Sequence, residues 1–100
     1  MDANDAPARQ ELLAYAAKKF PDADAIRLLQ DDFNREIVGI VQLKLHGARV
    51  SAGFSRELWE HKKTFDDLRT HTEHHQWGET VNHAAGQRAL LGENGWLDWK

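Results

Sequence analysis

The sequence predicts a small α+β domain in which an N-terminal helix, a three-stranded antiparallel meander and two C-terminal helices follow one another (α-β-β-β-α-α). Three observations predict this order. An amphipathic stretch opens the chain, alternating apolar stretches occupy residues 24–54, and helical apolar spacing returns after residue 55. Because the strands are consecutive and their connections short, we expect the helices to pack on one face of the sheet. The 100 residues are expected to form a single domain, residues 1–100.

The first helix is predicted over ARQELLAYAAKKF (8–20). Asp5 or Ala6 starts it, and Pro7 falls in the first turn, where the missing N–H does no harm. Pro21 ends it. Residues 1–6 are expected to be frayed. The apolar face of this helix comprises Leu12, Leu13, Ala16, Ala17 and Phe20.

Three segments predict the strands. DAIRLLQD (24–31) alternates like a half-buried strand, with a short helix as the alternative, and DDFNR (31–35) reads as a connecting turn built by Asp31 and Asp32. EIVGIVQLKLH (36–46) is the clearest strand, with one apolar face and with Val38 and Ile40 on the other. RVSAGF (49–54) follows a tight turn and points Val50, Ala52 and Phe54 inward.

Helical spacing returns in RELWEHKKTFDDLRTH (56–71), which Ser55 can cap and whose inner stripe contains Leu58, Phe65 and Leu68. Thr70-x-x-Glu73 resembles a capping box that restarts a helix near residue 71. ETVNHAAGQRALL (79–91) has helical period, with Gly92 at its end. Asn94-Gly95 is a turn signal, and residues 93–100 are expected to form a short aromatic tail.

Composition and motifs exclude or disfavour several classes of function. The chain carries 13 basic and 16 acidic residues, a net charge of −3, which disfavours a protein that binds by neutralising nucleic-acid phosphates. It has no cysteine, so thiol catalysis and thiolate metal sites are excluded. Nucleotide-binding glycine loops and the nucleophile elbow are absent from the sequence, as is a secretory signal pattern. We therefore expect a cytoplasmic protein that is a binder rather than an enzyme, without a cofactor and without a membrane partner.

The segment RTHTEHHQWGETVNH (69–83) holds four of the six histidines. On one continuous helix, His71, His75, Glu79 and His83 would share a side, and two imidazoles four residues apart can bind a divalent metal. Our expectation is nevertheless that no metal is bound, because the pattern is not HExxH and no third ligand is obvious. If a metal is bound, the predicted ligands are His71, His75 and Glu79, which would give a small metal-dependent hydrolase.

The chain also has four tryptophans, which either cap the small core or anchor a contact surface. The predicted interaction residues are Trp59, Arg69, His71, His75, Trp77, Trp96 and Trp99. The leading hypothesis is a non-catalytic module that binds another protein, in its narrower form a phage or mobile-element accessory protein that inhibits a host defence complex sterically. The apolar residues on the second sheet face also suggest a homodimer.

In element order alone, the first five elements resemble double-stranded RNA-binding domains, which share the order α-β-β-β-α. That resemblance implies nucleic-acid binding through the second helix as a further alternative. The second helix here starts SRELWEHKK, where Glu57 and Glu60 lie among the basic residues, instead of the lysine-rich start of that family. Nucleic acid is therefore not the expected partner.

Overall fold

The computed structural model describes residues 1–30, 33–84 and 86–99. Within these ranges the elements are α1 (Ala6–Lys19), β1 (Ile26–Leu29), β2 (Ile37–Leu45), β3 (Ala48–Ser55), α2 (Arg56–His61), α3 (Phe65–His74), α4 (Trp77–His83), β4 (Arg88–Gly92) and β5 (Gly95–Leu97). The strands form one sheet in the order β1-β2-β3-β4-β5. The pairs are antiparallel except for the parallel pair β3–β4. The α+β class and the first three strands are confirmed, but the layout of three strands followed by two helices is wrong.

Helix α1 begins where the sequence predicts. The Asp5 side chain accepts a hydrogen bond from the Ala8 N–H at 3.0 Å, and Pro7 lies in the first turn. The preceding residues, expected to be frayed, instead contact α2, because the buried Trp59 indole donates to the Asp2 carbonyl at 2.8 Å. The core face of α1 consists of Ala8, Leu12 and Ala16.

A β-bulge in β2 decides which side chains face the helices. The register of β2 against β3 shifts between Val38 and Val41, and Gly39 lies there with φ +59°. The side chains of Val38 and Val41 therefore share the main core, whereas Ile37 and Ile40 lie on the opposite face. The predicted strict alternation, which placed Val38 beside Ile40, is wrong because the bulge adds a residue to β2.

The remaining parts of the meander follow the sequence closely. Residues 26–29 form a strand rather than the alternative helix, and Ile26 and Leu28 pack against the core. His46 and Gly47 both have positive φ in the two-residue turn between β2 and β3, as a type I′ turn requires. The predicted turn formers Asp31 and Asp32 lie outside the described residues.

The predicted helix over 56–71 is two helices. Ser55 caps α2 as expected, accepting from the Leu58 N–H at 3.1 Å, but Lys62 is extended and Thr64 caps α3. The predicted capping box is wrong, because Thr70 lies within α3 and donates to the Asp66 carbonyl. The second helix starts where it does because the Thr64 side chain accepts a hydrogen bond from the Asp67 N–H at 3.3 Å.

The predicted helix over 79–91 ends at His83, and its second half is β4. Apolar residues at 89–91 fit either a helix face or a strand buried on both sides. The edge of β3 provides the pairing partner, and Ala89, Leu90 and Leu91 become buried there. The turn expected at Asn94-Gly95 lies one residue earlier, at Glu93-Asn94, and Gly95 pairs with Gly92 as the first residue of β5, so the predicted tail contributes a strand. Ala85 of the predicted helix face is not among the described residues.

All four described helices pack on one face of the sheet and close the main core, as predicted. The opposite face holds a smaller cluster of Ile37, Ile40 and Leu90, which Leu29 and Trp99 cover. Those three residues are 4–7% exposed, so the chain itself buries the apolar patch that suggested a homodimer. Among the described helices, none combines the length and the apolar character that crossing a bilayer requires.

Candidate functional site

Four histidines gather where α2 and α3 end, and we call His61, His71, His74 and His75 the histidine surface. His61 is the last residue of α2, His71 and His74 lie in the last turn of α3, and His75 is its C-cap. The ring centroids of His71 and His75 are 4.5 Å apart, and those of His74 and His75 are 5.2 Å apart. Helical spacing brings the last three together, whereas the fold adds His61.

The β4–β5 hairpin fixes this surface in place. His71 Nε2 donates to the Gly92 carbonyl at 3.0 Å, and the Trp96 indole N–H donates to the His75 carbonyl at 3.2 Å. The Glu93 carboxylate contacts His61 Nδ1. Because three contacts join the hairpin to the ends of two helices, the rings of His61 and His71 and the backbone of His75 are held by long-range contacts and not by α3 alone.

The metal-ligand set was predicted from one continuous helix, but the structure divides that segment into two helices. Helix α3 ends at His74, Gln76 adopts a left-handed conformation with φ 55°, and α4 starts at Trp77. Glu79 and His83 therefore belong to a different helix from His71. Within the described ranges, His71, His75 and Glu79 do not form a group whose ligand atoms lie within 4.8 Å of one another.

A different set of side chains meets that distance. One ligand atom each from Glu57, His61 and Glu93 lie within 4.8 Å of one another. Glu57 and His61 are four residues apart on α2, and the β4–β5 turn supplies Glu93. Imidazole and carboxylate are ligands that Zn²⁺ accepts, and three protein ligands leave an open coordination position. His61 and Glu57 are exposed and Glu93 is partly so, which leaves the side chains room to adjust.

The histidine surface borders an open depression of about 560 Å³. It is lined by His61, Lys62, Lys63, Asp67, Thr70, His71 and His74. Two lysines and three histidines thus face one carboxylate, in a chain whose net charge is −3. The depression is a local cationic region, because Lys62 and Lys63 face the Asp67 carboxylate among its described lining residues.

The pKa of His75 is lowered from its ordinary value. Burial is the largest cause, and the neighbouring His71 and His74 rings add to it when they are charged. His75 is therefore held neutral at pH values where free histidine already begins to ionise. Its ring packs against those of His71 and His74, and its backbone carbonyl accepts the hydrogen bond from Trp96.

The structure separates the other predicted interaction residues. Trp59 and Trp77 are fully buried, as in the alternative where tryptophans build the core. Trp96 is half-buried beside His75, whereas Trp99 lies across the opposite sheet face with Arg88 stacked 5.3 Å from its ring centroid. Arg69 pairs with Asp66 and lines another depression with Tyr15, Lys19 and Glu73. Only His71, His75 and Trp96 of the predicted set come together.

Sequence reasoning missed Lys62, Lys63, Glu57 and Glu93 as members of this region. The i,i+4 spacing of Glu57 and His61 was a usable signal, because it places both on one side of α2. Glu93 had none, since its approach depends on β4 and β5 being strands. Comparison of the chain with protein-family models, curated proteins and solved structures yields no match.

Proposed function

We propose that this chain is a non-catalytic binding module that docks an acidic segment of another protein on the depression beside the histidine surface. One observation carries the proposal: among the described residues that line this depression, two lysines and three histidines face the carboxylate of Asp67, and Glu93 contacts His61 beside it. A surface cleft of one sign attracts the opposite sign and speeds the encounter with it. An extended segment rich in Asp and Glu fits both the charge and the open shape.

The fixed positions of the residues in the histidine surface support binding rather than catalysis. The histidine surface is fixed by carbonyl contacts, with His71 donating to Gly92 and the His75 carbonyl accepting from Trp96. A preorganised surface loses less conformational freedom on binding. In its narrower form the proposal is an inhibitor from a phage or mobile element that covers a surface which a host defence complex needs. Such an inhibitor would act stoichiometrically, in proportion to the sites occupied.

The experiment combines a capture with a matched pair of charge reversals. The chain is used to capture proteins from its native host, with Lys62→Glu/Lys63→Glu as the test variant and Lys44→Glu/Arg49→Glu as the control. Both doubles change the net charge equally, and Lys44 and Arg49 pair across β2 and β3, away from the histidine surface. The proposal expects a captured partner to be lost with the first variant, kept with the second and cross-linked to residues 61–74.

A direct titration complements the capture. A short polyglutamate peptide is titrated into the chain at low and at high salt and followed by amide chemical shifts. We expect shifts at residues 61–74 and weaker binding at high salt, because salt screens charges at a surface. A partner retained by the Lys62/Lys63 reversal, together with peptide shifts elsewhere, contradicts the proposal.

A divalent metal site is the second candidate, favoured by the convergence of Glu57, His61 and Glu93. Such a site would position water on an open coordination site, which is the chemistry of metal-dependent hydrolases. Elemental analysis after purification without added metal tests it, with His61→Ala as the test variant and His83→Ala as the control. Stoichiometric zinc or manganese that disappears only in His61→Ala supports the metal site. No bound metal and a melting temperature indifferent to a chelator reject it.

A further inference from the structure

A cavity of about 390 Å³ lies between the start of α1, the segment before β2 and the start of α2. Three arginines line it: Arg9 from α1, Arg35 from the β1–β2 connection and Arg56 from α2. The rest of its lining is Ala3, Asn4, Leu29, Gln30, Ile37, Val38 and Gly39. No carboxylate is among these described lining residues, and the formal charges that they carry are those of the three guanidinium groups.

The three arginines differ in how their charge is balanced. Arg56 donates to the Arg35 carbonyl and pairs with Glu60 at 3.2 Å. Within the described residues, neither the Arg9 nor the Arg35 guanidinium pairs with a carboxylate. Positive groups that share a cavity without counter-charges raise its potential. A bound anion would lower that electrostatic cost.

The chemistry of the wall defines the ligand class. Guanidinium groups bind the oxygens of phosphate and carboxylate through paired N–H donors. The cavity volume lies in the range of small-molecule sites, which is larger than one phosphate group needs. Leu29 and Ile37 offer an apolar wall, and Asn4 and Gln30 offer amide groups, for an organic part attached to the anion.

We propose that this cavity binds a small phosphate-bearing molecule, with the phosphate held between Arg9 and Arg35 and the organic part along Leu29 and Ile37. A small ligand fits better than a nucleic acid, because a polyanion would also meet the other charges of a chain whose overall net charge is −3. The cavity shares no lining residue with the depression beside the histidine surface. A result that rejects one of the two proposals therefore does not reject the other.

Isothermal titration tests the site in a low-salt buffer free of phosphate and sulfate. The probes are adenosine monophosphate, inorganic phosphate, adenosine and a short single-stranded oligonucleotide. We expect adenosine monophosphate to bind one to one, with amide shifts at residues 9, 35–39 and 56, and adenosine not to bind. Whether inorganic phosphate binds as tightly as the nucleotide decides between free phosphate and a phosphate ester as the source.

The variants are chosen so that folding is preserved. Arg9→Gln and Arg35→Gln remove guanidinium groups that make no ion pair in the described structure, and Arg49→Gln is the control on the exposed side of β3. Each test variant should weaken adenosine monophosphate by about tenfold, the loss expected for a charge-assisted hydrogen bond, while the control binds as the parent does. Melting temperatures of all three should stay near that of the parent.

Three outcomes would overturn the inference. The first is no binding of either phosphate probe at millimolar concentration. The second is binding that Arg9→Gln and Arg35→Gln leave unchanged. The third is an oligonucleotide that binds more tightly than adenosine monophosphate and depends on the same arginines, which would assign the cavity to nucleic acid.

Discussion

Replacing Gly39 by alanine tests whether the bulge in β2 is required for packing. Gly39 has φ +59°, and a Cβ there would lie 2.7 Å from Trp59 Cζ3, 3.1 Å from Leu12 Cδ2 and 3.3 Å from Phe54 Cδ2. All three neighbours are essentially inaccessible to solvent, so none can move into open space. The substitution therefore combines backbone strain with overpacking of the core.

The magnitude follows from these two contributions. Left-handed backbone costs an L-residue about 1–2 kcal/mol, and an added methyl in a full core costs about 1–3 kcal/mol. Gly39→Ala should lower the free energy of unfolding by about 2–5 kcal/mol, a large fraction of a total near 5–15 kcal/mol. Each kcal/mol lowers the melting temperature of a domain of this size by about 4–8 °C.

Gly47→Ala is the matched control. Gly47 also has a positive φ, +79°, but a Cβ there would meet nothing within 4 Å. This variant should show the strain alone, about 1–2 kcal/mol. Urea unfolding followed by tryptophan fluorescence measures both variants. Equal losses for the two glycines would refute the packing argument, whereas a Gly39→Ala chain that fails to fold beside a folded Gly47→Ala chain would support it.

Three further predictions concern charges and indoles. The pKa of Glu73 is lowered from 4.5, first by the hydrogen bond from Tyr15. The stabilisation from this carboxylate is therefore present above pH 4.5 and is lost as the pH falls through the lowered pKa. In acid, the urea midpoint should fall less for Glu73→Gln than for the parent. The pKa of His75 is lowered from 6.5, so the stability that this group contributes is lost as the pH falls below 6.5. Its NMR titration should have a midpoint under 6.5. A midpoint above 6.5 contradicts the assigned burial. Trp59→Phe should lower the free energy of unfolding by about 1–2 kcal/mol more than Trp77→Phe. The reason is that Trp59 Nε1 donates a hydrogen bond, whereas Trp77 Nε1 is buried without an acceptor among the described residues. Thermal melts that rank the two variants in reverse contradict this.

The candidate site combines contacts within one helix, which the sequence predicts, with contacts between separate elements, which it does not. The i,i+4 rule placed His71 and His75 near each other, because that spacing is a property of one helix. The same rule failed for Glu79, since α3 ends before it. His61 reaches the histidine surface from α2, and Glu93 reaches it from a hairpin. The arginine cavity had no sequence signal, because Arg9, Arg35 and Arg56 come from three separate elements.

By itself, the sequence determined the elements whose signals are local. Asp5 and Ser55 cap their helices through their own side chains, and His46-Gly47 makes the turn that joins β2 to β3. These features depend on residues within a few positions of one another.

Only the tertiary structure decided the features that need a distant partner. Residues 88–92 have an apolar spacing that suits a helix or a strand, and the edge of β3 selects the strand. The break after His61 differs, because Thr64 caps α3 through its own side chain, a local signal that the predicted single helix passed over. Because the hairpin that completes the histidine surface rests on the β3–β4 pairing, the site could be assembled only once the sheet was known.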